Sequence, residues 1–116
     1  MRMEDRVLVR ERLEREQHYF RIAAKRTEAS TQWLRRVRQG LGLQATKIAR
    51  ELGVNVSVIF RLEKSEEHKS ISVRALEKVA RTMGCDLVYG LVPRGGKTLT
   101  AMVEERRWRE KLKDRD

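Results

Sequence analysis

The sequence predicts a mainly α-helical chain: a small bundle with a helix-turn-helix at its centre, one C-terminal β-strand, and a flanking helix at each end. Two observations carry this prediction. Between residues 33 and 84, apolar residues recur every three to four positions, and glycines follow three of the four short stripes, at Gly40, Gly53 and Gly84. At residues 85–92 this period gives way to the β-branched and aliphatic run CDLVYGLV, which is typical of a strand.

These changes of pattern divide the chain into four expected segments. They are an N-terminal amphipathic helix over residues 1–29, a helix-turn-helix domain over 30–84, a dimerisation strand over 85–93 and a C-terminal helix over 94–116. With 116 residues, the chain is long enough for one domain with a modest core.

The charge balance predicts a polyanionic partner. The chain holds 27 Lys and Arg against 17 Asp and Glu, and residues 30–94 alone hold 12 basic against 6 acidic side chains. The excess is therefore concentrated around the helix-turn-helix. No apolar run approaches the roughly 20 residues of a membrane span, so we expect no membrane partner. Cys85 is the one cysteine, which suits a reducing cytoplasm and a protein near the nucleoid.

The N-terminal helix carries one narrow apolar stripe. Val9, Leu13, Phe20, Ala23 and Ala24 fall near one side, with charges elsewhere. Two interpretations stay open: an arm that binds a second copy or another partner, and a helix that packs on its own domain or frays in solution. The next helix is expected to begin at a cap on Ser30.

Residues 44–64 predict two short amphipathic helices joined by a tight turn at Gly53. Asn55 is placed to cap the second helix, which we expect to run to Lys64 and to give way to a polar loop over residues 64–70. A helix-turn-helix has this layout and lays its second helix in the major groove of double-stranded DNA. A small helical domain of this kind can also bind proteins, and that alternative stays open.

The exposed side chains of this module suit DNA. Asn55 can hydrogen-bond an adenine edge, Val56 can contact a thymine methyl group, and Arg61 can reach a guanine edge or a phosphate. The expected base-reading residues are Asn55, Val56, Ser57, Phe60 and Arg61. Backbone amides at the start of the first helix favour phosphate. The expected phosphate-binding residues are Gln44, Ala45, Thr46, Lys47, Lys64 and Lys69.

The expected strand has no partner of similar strength in the chain. A lone strand leaves backbone donors and acceptors unpaired, so we expect it to pair with the same strand of a second copy and to form a homodimer. The residues of this dimer strand are Leu87, Val88, Tyr89, Leu91 and Val92. Two recognition helices would then meet half-sites about one helical turn apart, or a multiple of it. The alternative is an extended tail packed on its own core.

Patterns for catalysis or metal binding are missing from the sequence. Cys85, His18 and His68 lie too far apart for a zinc motif. Residues 95–98, GGKT, resemble only the end of a nucleotide-binding loop and lack its upstream glycine spacing. We expect no catalytic residue, no metal and no cofactor, and therefore no enzyme.

The segment GLQATKIARELGVNVSVIFRLEK, residues 42–64, resembles the Xre, or lambda-repressor-type, helix-turn-helix family. The shared positions are Gly42, Leu43, Ala49, Leu52, Gly53, Val54, Arg61, Leu62 and Glu63. The resemblance implies a lambda-repressor-like bundle over residues 33–84. It also implies an ion pair between Arg38 and Glu63, two residues that would then be structural and would not contact bases.

A longer pattern is similar to the small family called mobile mystery protein A. It consists of WLRRVRQGLGL, RLEKSE, GCDLVYGLVP and MVEER. These Xre-type regulators tend to be encoded beside a Fic-domain partner. The resemblance implies an autoregulatory repressor of antitoxin type, or alternatively a subunit that neutralises a Fic-type toxin and for which DNA binding is secondary.

Two positions depart from the Xre pattern. The family often has a glutamine at the second residue of the first motif helix and another just after the cap of the recognition helix. This chain has Ala45 and Val56 there. Without these amides, specificity is expected to depend on Asn55, Ser57, Arg61 and DNA shape.

Overall fold

The computed structural model describes residues 1–26 and 32–114, and every regular element in these residues is helical. The helices are α1 (Met3–Arg26), α2 (Trp33–Gly40), α3 (Ala45–Leu52), α4 (Val56–Glu67), α5 (Val73–Thr82) and α6 (Leu99–Lys113), with a short 3₁₀ turn at Arg94–Gly96. The chain forms two compact units. The central unit is Ala29–Tyr89, and the terminal unit combines Met1–Glu28 with Gly90–Asp116.

The central unit packs α2 to α5 around one apolar core. Its buried cluster consists of Leu34, Ala45, Ile48, Ala49, Ile59, Val79 and Met83. Every helix of the unit contributes to this cluster, because each presents an apolar stripe at helical spacing. Trp33 at the start of α2 and Leu41 just after its end are about half exposed, at 52% and 54%.

Local signals in the sequence begin and end the helices of the central unit. The Asn55 Oδ1 accepts a hydrogen bond from the Ser57 N–H at 3.0 Å, and the Ser72 hydroxyl oxygen accepts one from the Ala75 N–H at 3.1 Å. Gly53 ends α3 in the left-handed conformation at φ 68°, which a glycine adopts without strain. The predicted cap at Asn55 and the predicted turn at Gly53 are confirmed. The predicted cap at Ser30 lies outside the described residues.

The predicted polar loop over residues 64–70 is wrong in its first half. α4 continues to Glu67, one turn beyond the expected end. The added turn is polar in sequence but places the carboxylate of Glu66 in the protein interior, where it is 6% exposed. The physical reason for this extension is a contact with α2, described below.

The terminal unit is an antiparallel pair, α1 and α6. Near the middle of α1, Glu14 Oε1 accepts hydrogen bonds from the Thr100 N–H at 3.0 Å and the Thr100 hydroxyl at 2.9 Å, at the start of α6. These bonds hold the pKa of Glu14 below its usual range. Closer to the start of α1, Val9 shares a groove with Met102, further along α6. Thr98 caps the start of α6, since its hydroxyl oxygen accepts a hydrogen bond from the Ala101 N–H at 3.1 Å.

The predicted β-strand at residues 85–93 is wrong. Residues 85–93 are neither strand nor helix, and no β-strand occurs within residues 1–26 or 32–114. β-Branched composition favours extended backbone, but a strand exists only where a second backbone pairs with it. The fold class is therefore all-helical over the described residues.

The residues expected to build a dimer strand have other surroundings. Leu87 and Val92 are half-buried, whereas Val88, Tyr89 and Leu91 are exposed. In the terminal unit, the carbonyl of Leu91 accepts a hydrogen bond from Gln17 Nε2 at 2.9 Å. The backbone of Gly90 lies so close to the Phe20 ring that a Cβ there would be 2.8–2.9 Å from three ring carbons. Within the described residues, these contacts with α1 take the place of strand pairing.

Replacing Gly90 by alanine tests this close approach. We expect Gly90→Ala to destabilise the terminal unit by about 1–3 kcal/mol, because a methyl group cannot fit against the ring without a shift of α1. The measurement is urea unfolding followed by Trp108 fluorescence in a Trp33→Phe background. Gly40→Ala is the matched control, since a Cβ at Gly40 meets nothing within 4 Å. Equal stability of the two variants would contradict the contact.

Candidate nucleic-acid interface

α4 has one face in the core and one face outside. Ile59 is 1% exposed and Leu62 packs against the same apolar cluster. On the other side, four exposed side chains follow the spacing i, i+3, i+4 and i+7, which places them together on one face. They are Ser57, Phe60, Arg61 and Lys64, and we call them the outer face of α4. This face is polar and basic, with one aromatic ring that is 53% exposed.

Asn55 and Val56, at the start of α4, are only partly available for contacts outside the protein. Asn55 is exposed, but its Oδ1 already accepts the capping hydrogen bond from the Ser57 N–H. A two-point contact with adenine uses both the Oδ1 acceptor and the Nδ2 donor, so capping and such a contact compete for the same oxygen. Val56 is half-buried against the core, which leaves a small part of its side chain for a base.

The start of α3 differs from the starts of its neighbours. Gln44 stands at the cap position without a side-chain hydrogen bond to the helix, whereas α4, α5 and α6 are each capped by a side chain. The side chain of Ala45 is in the core, at 5% exposed, so this residue can offer only its backbone amide. Thr46 and Lys47 are exposed beside it. Free amides and a positive helix end form an arrangement that suits a phosphate.

Exposed basic side chains lie near the C-terminal end of α4 and beside it. Lys64 belongs to the outer face, and Lys69 follows the end of α4 with a left-handed backbone at φ 59°. Arg35 was not among the sequence-predicted residues. It lines a shallow polar cleft of about 300 Å³ with Phe60 and Lys64, between α2 and α4. Its signal in the sequence was its place in the basic run RRVR, three residues before Arg38.

Arg38 and Glu63 form an ion pair between α2 and α4. Arg38 Nε lies 2.7 Å from Glu63 Oε1, and the two side chains are 14% and 8% exposed. The same guanidinium donates to the carbonyl of Leu43 at 3.4 Å and lies 5.9 Å from the centroid of the Phe60 ring. This pair holds α4 against α2, and its arginine packs against the Phe60 ring. The two charges neutralise each other and are not available to contact DNA.

Glu66, like Arg35, was not predicted from the sequence as a residue of this site. Its two carboxylate oxygens accept hydrogen bonds from the N–H groups of Leu34 at 2.8 Å and Trp33 at 3.1 Å, the first two residues of α2. α2 has no side-chain cap at its own cap position, Gln32, and this carboxylate from α4 replaces it. A negative charge is stabilised there by the amides and by the helix dipole.

The described residues contain no group of three or more His, Cys, Asp or Glu side chains placed to hold a metal ion. None of the described helices has both the length and the apolar character required to span a membrane. The candidate site over the described residues therefore consists of the outer face of α4, the start of α3 and the nearby lysines.

The comparison with protein families decides the nature of the central unit. Residues 34–89 match the family model HTH_3, described as Helix-turn-helix. These residues form a DNA-binding helix-turn-helix domain. Domains of this family occur in DNA-binding regulators and do not define an enzyme family. No curated protein and no solved structure shows a significant match to the chain. In this helix-turn-helix domain, α3 and α4 are the two motif helices, and α4 is the recognition helix.

Removing the Glu66 carboxylate tests the hydrogen bonds that join α4 to the start of α2. We expect Glu66→Ala to lower the free energy of unfolding of the helix-turn-helix domain by about 2–4 kcal/mol, because two N–H groups of α2 lose their acceptors. Glu66→Gln keeps one good acceptor, so its free energy of unfolding should lie between those of the wild type and Glu66→Ala. The measurement is urea unfolding followed by circular dichroism.

The matched control for this experiment is Glu51→Ala. It removes the same group from an exposed position at the end of α3 and should change stability by no more than about 0.5 kcal/mol. If Glu66→Ala were as mild as Glu51→Ala, the carboxylate would not support α2.

Proposed function

We propose that this protein is a sequence-specific regulator of transcription that binds double-stranded DNA as a homodimer, with the outer face of α4 in the major groove. The observation that carries the proposal is the separation of the two faces of α4. One face is locked into the core and onto α2, and the other presents a polar, basic surface at the spacing that a groove can accept.

The proposed base contacts come from the first two turns of α4. Ser57 and Arg61 are exposed and have the hydrogen-bonding groups to meet base edges, and Phe60 can contact a thymine methyl group. Asn55 contributes its remaining Nδ2 donor, and Val56 contributes a small apolar contact. The order of importance we propose is therefore Arg61 first, then Ser57 and Asn55.

The proposed phosphate contacts surround this centre. They comprise the backbone amides of Gln44, Ala45 and Thr46 together with the side chains of Lys47, Lys64 and Lys69. Arg35, which lines the same cleft as Lys64, joins this set. Contacts of this kind fix the position of the recognition helix without reading sequence. Two such domains, one from each copy, would occupy half-sites about one helical turn apart, or a multiple of it.

The biological role we propose is an autoregulatory repressor of antitoxin type, acting on the chromosome in the cytoplasm. This finer role is supported by the likeness of four sequence segments to the mobile mystery protein A family, which also suggests a Fic-type toxin as a protein partner. An open reading frame for a Fic domain beside the gene would favour it, and co-expression of the two proteins would test whether this chain neutralises that toxin.

Replacing Arg61 tests the recognition helix. We expect Arg61→Ala to weaken binding to a fragment of the protein's own promoter by about 1–3 kcal/mol, roughly 5- to 150-fold, because one guanidinium contact to a base edge is lost. Binding to a shuffled fragment of the same composition should weaken much less. The measurement is fluorescence anisotropy with both fragments at one fixed salt concentration.

Arg107→Ala serves as the control for Arg61→Ala, since it removes an exposed arginine from α6 in the terminal unit. It should leave the ratio of the two affinities unchanged. A preserved promoter preference in Arg61→Ala would contradict the assignment of α4 as the base-reading helix.

Replacing Lys69 separates stability from DNA binding. A non-glycine residue in the left-handed conformation costs energy, so Lys69→Gly should raise the free energy of unfolding by about 1 kcal/mol. The same change removes a proposed phosphate contact. It should weaken binding to promoter and shuffled DNA alike and reduce the slope of log affinity against log salt by about one per bound copy.

Two measurements are therefore needed for Lys69→Gly: thermal unfolding and a salt titration of DNA affinity. A stabilised variant with an unchanged salt slope would show that Lys69 does not contact phosphate.

A further inference from the structure

The terminal unit lacks an apolar core of its own. Among its described residues no apolar side chain is buried, and the one buried side chain is the polar Gln17, at 8% exposed. Several large apolar side chains of the unit remain exposed instead: Leu8, Val9, Leu13, Tyr19, Ile22, Trp108 and Leu112. Helices in water depend on burying an apolar face, and two helices without such burial are marginal at best.

The face that α1 turns toward residues 90–100 is mainly polar, apart from the Phe20 ring that lies against Gly90. Arg10, Glu14, Gln17 and Arg21 have the spacing of one helical face, and this face contains the hydrogen bonds to Thr100 and Leu91 described above. The Nε of Arg10, and both Nε and Nη2 of Arg21, are shielded from solvent without a hydrogen-bond partner. The inner face of α1 therefore consists mainly of polar side chains, and some of their shielded nitrogen and oxygen atoms have no hydrogen-bond partner.

The apolar stripe of α1 is left beside this polar face. Val9 and Leu13, one turn apart, are 44% and 40% exposed. Next to Val9 lies an open groove of about 390 Å³ between α1 and α6, with Leu99, Met102 and Val103 on its α6 side. Arg6, Arg10 and Arg106 also line this groove, so the stripe and the groove form a mainly apolar surface with basic side chains beside it along the first half of α1, whose 24 residues make a helix about 36 Å long.

The charges on either side of this stripe point to what covers it. At 100° per residue, Asp5 and Glu16 lie on one side of the line through Val9 and Leu13, where Arg12 pairs with Glu16 at 3.7 Å, whereas Arg6 and Arg10 lie on the other. A partner with a uniformly acidic or uniformly basic surface would suit only one side. A second α1 placed parallel to the first, related by a two-fold axis, would bring each acidic side against the other copy's basic side.

We propose that α1 is the homodimerisation helix of this protein. The stripe centred on Val9 and Leu13 packs against the same stripe of a second copy in parallel, and α6 extends the apolar contact through Leu99, Met102 and Val103. This arrangement gives the terminal unit the apolar core that one copy lacks. It deepens the proposed function by naming the surface that pairs two helix-turn-helix domains, and it can be tested without DNA.

The first test measures the mass of the full chain by light scattering and by sedimentation over a hundredfold range of concentration. We expect a dimer of the 13.7 kDa chain. Val9→Asp with Leu13→Asp should raise the dimer dissociation constant at least about tenfold, because two charges would be buried against apolar side chains. The central unit has its own core, so its thermal transition should survive this change.

The matched control places the same charges on another side of the same helix. Leu8 and Tyr19 are more exposed than the stripe, at 63% and 75%, so non-specific apolar association would depend on them first. Leu8→Asp with Tyr19→Asp should leave the dimer intact. A monomeric wild type, a stripe variant that stays dimeric, or a control variant that dissociates equally would each overturn the proposal.

A second pair of variants tests the same interface through surface charges, so the result does not depend on whether the Val9→Asp and Leu13→Asp variant folds. Arg6→Glu makes both sides of the stripe acidic in this region, and Asp5→Arg makes both sides basic. Each variant alone should dimerise at least threefold more weakly than the wild type, and an equal mixture should form the mixed dimer at wild-type strength. A mixture that associates no better than its components would overturn the parallel arrangement.

DNA binding is measured on the same variants so that the two proposals can fail separately. A dimer with the expected responses that has no promoter preference would count against the regulator and not against this surface. A monomeric wild type that keeps its promoter preference would count against this surface and against the homodimer, and not against base reading by α4.

Discussion

The arrangement of the helix-turn-helix domain depends on two carboxylates of α4 that hold α2. Glu66 accepts two amides at the start of α2, and Glu63 pairs with Arg38 in its second half. A buried carboxylate costs several kcal/mol unless it is paired, so both contacts strongly favour one rotation of α4 about its axis. Turning α4 by a single residue, about 100°, would break both contacts and aim a different set of side chains outward. The direction of the proposed DNA-facing surface thus follows from the contacts on the opposite side of α4.

Arg38 links this internal contact to the surface. Its guanidinium pairs with Glu63, donates a hydrogen bond to the carbonyl of Leu43 and lies over the face of the Phe60 ring. The ring lies on the outer face of α4 but is supported by a side chain that is itself largely buried. A cation beneath an aromatic ring stabilises one position of that ring. The apolar member of the outer face is therefore more fixed than an exposed phenylalanine on a helix usually is.

Apolar periodicity and capping residues predict α2 to α5 well, because both signals are local. Glu66 escaped prediction because a carboxylate that will meet helix amides looks the same in sequence as one that will meet water. The strand failed for a related reason: β-branched composition reports a preference of the backbone and says nothing about a pairing partner. The stripe of Val9 and Leu13 was visible in the sequence. The sequence did not show that α6 packs beside a polar face of α1. Each miss concerns a contact between residues distant along the chain.

The terminal unit is built from both ends of the described chain, with the helix-turn-helix domain inserted between them. The hydrogen bond between Glu14 and Thr100 joins residues 86 positions apart, whereas every contact inside the central unit is complete once residue 89 has been made. During synthesis, α1 therefore leaves the ribosome before the helix-turn-helix domain but cannot pair with α6 until the residues of α6 have been made. The helix-turn-helix domain can fold in the meantime, since its contacts are nearer along the chain. The DNA-binding part of the molecule thus forms before the part that we propose joins two copies.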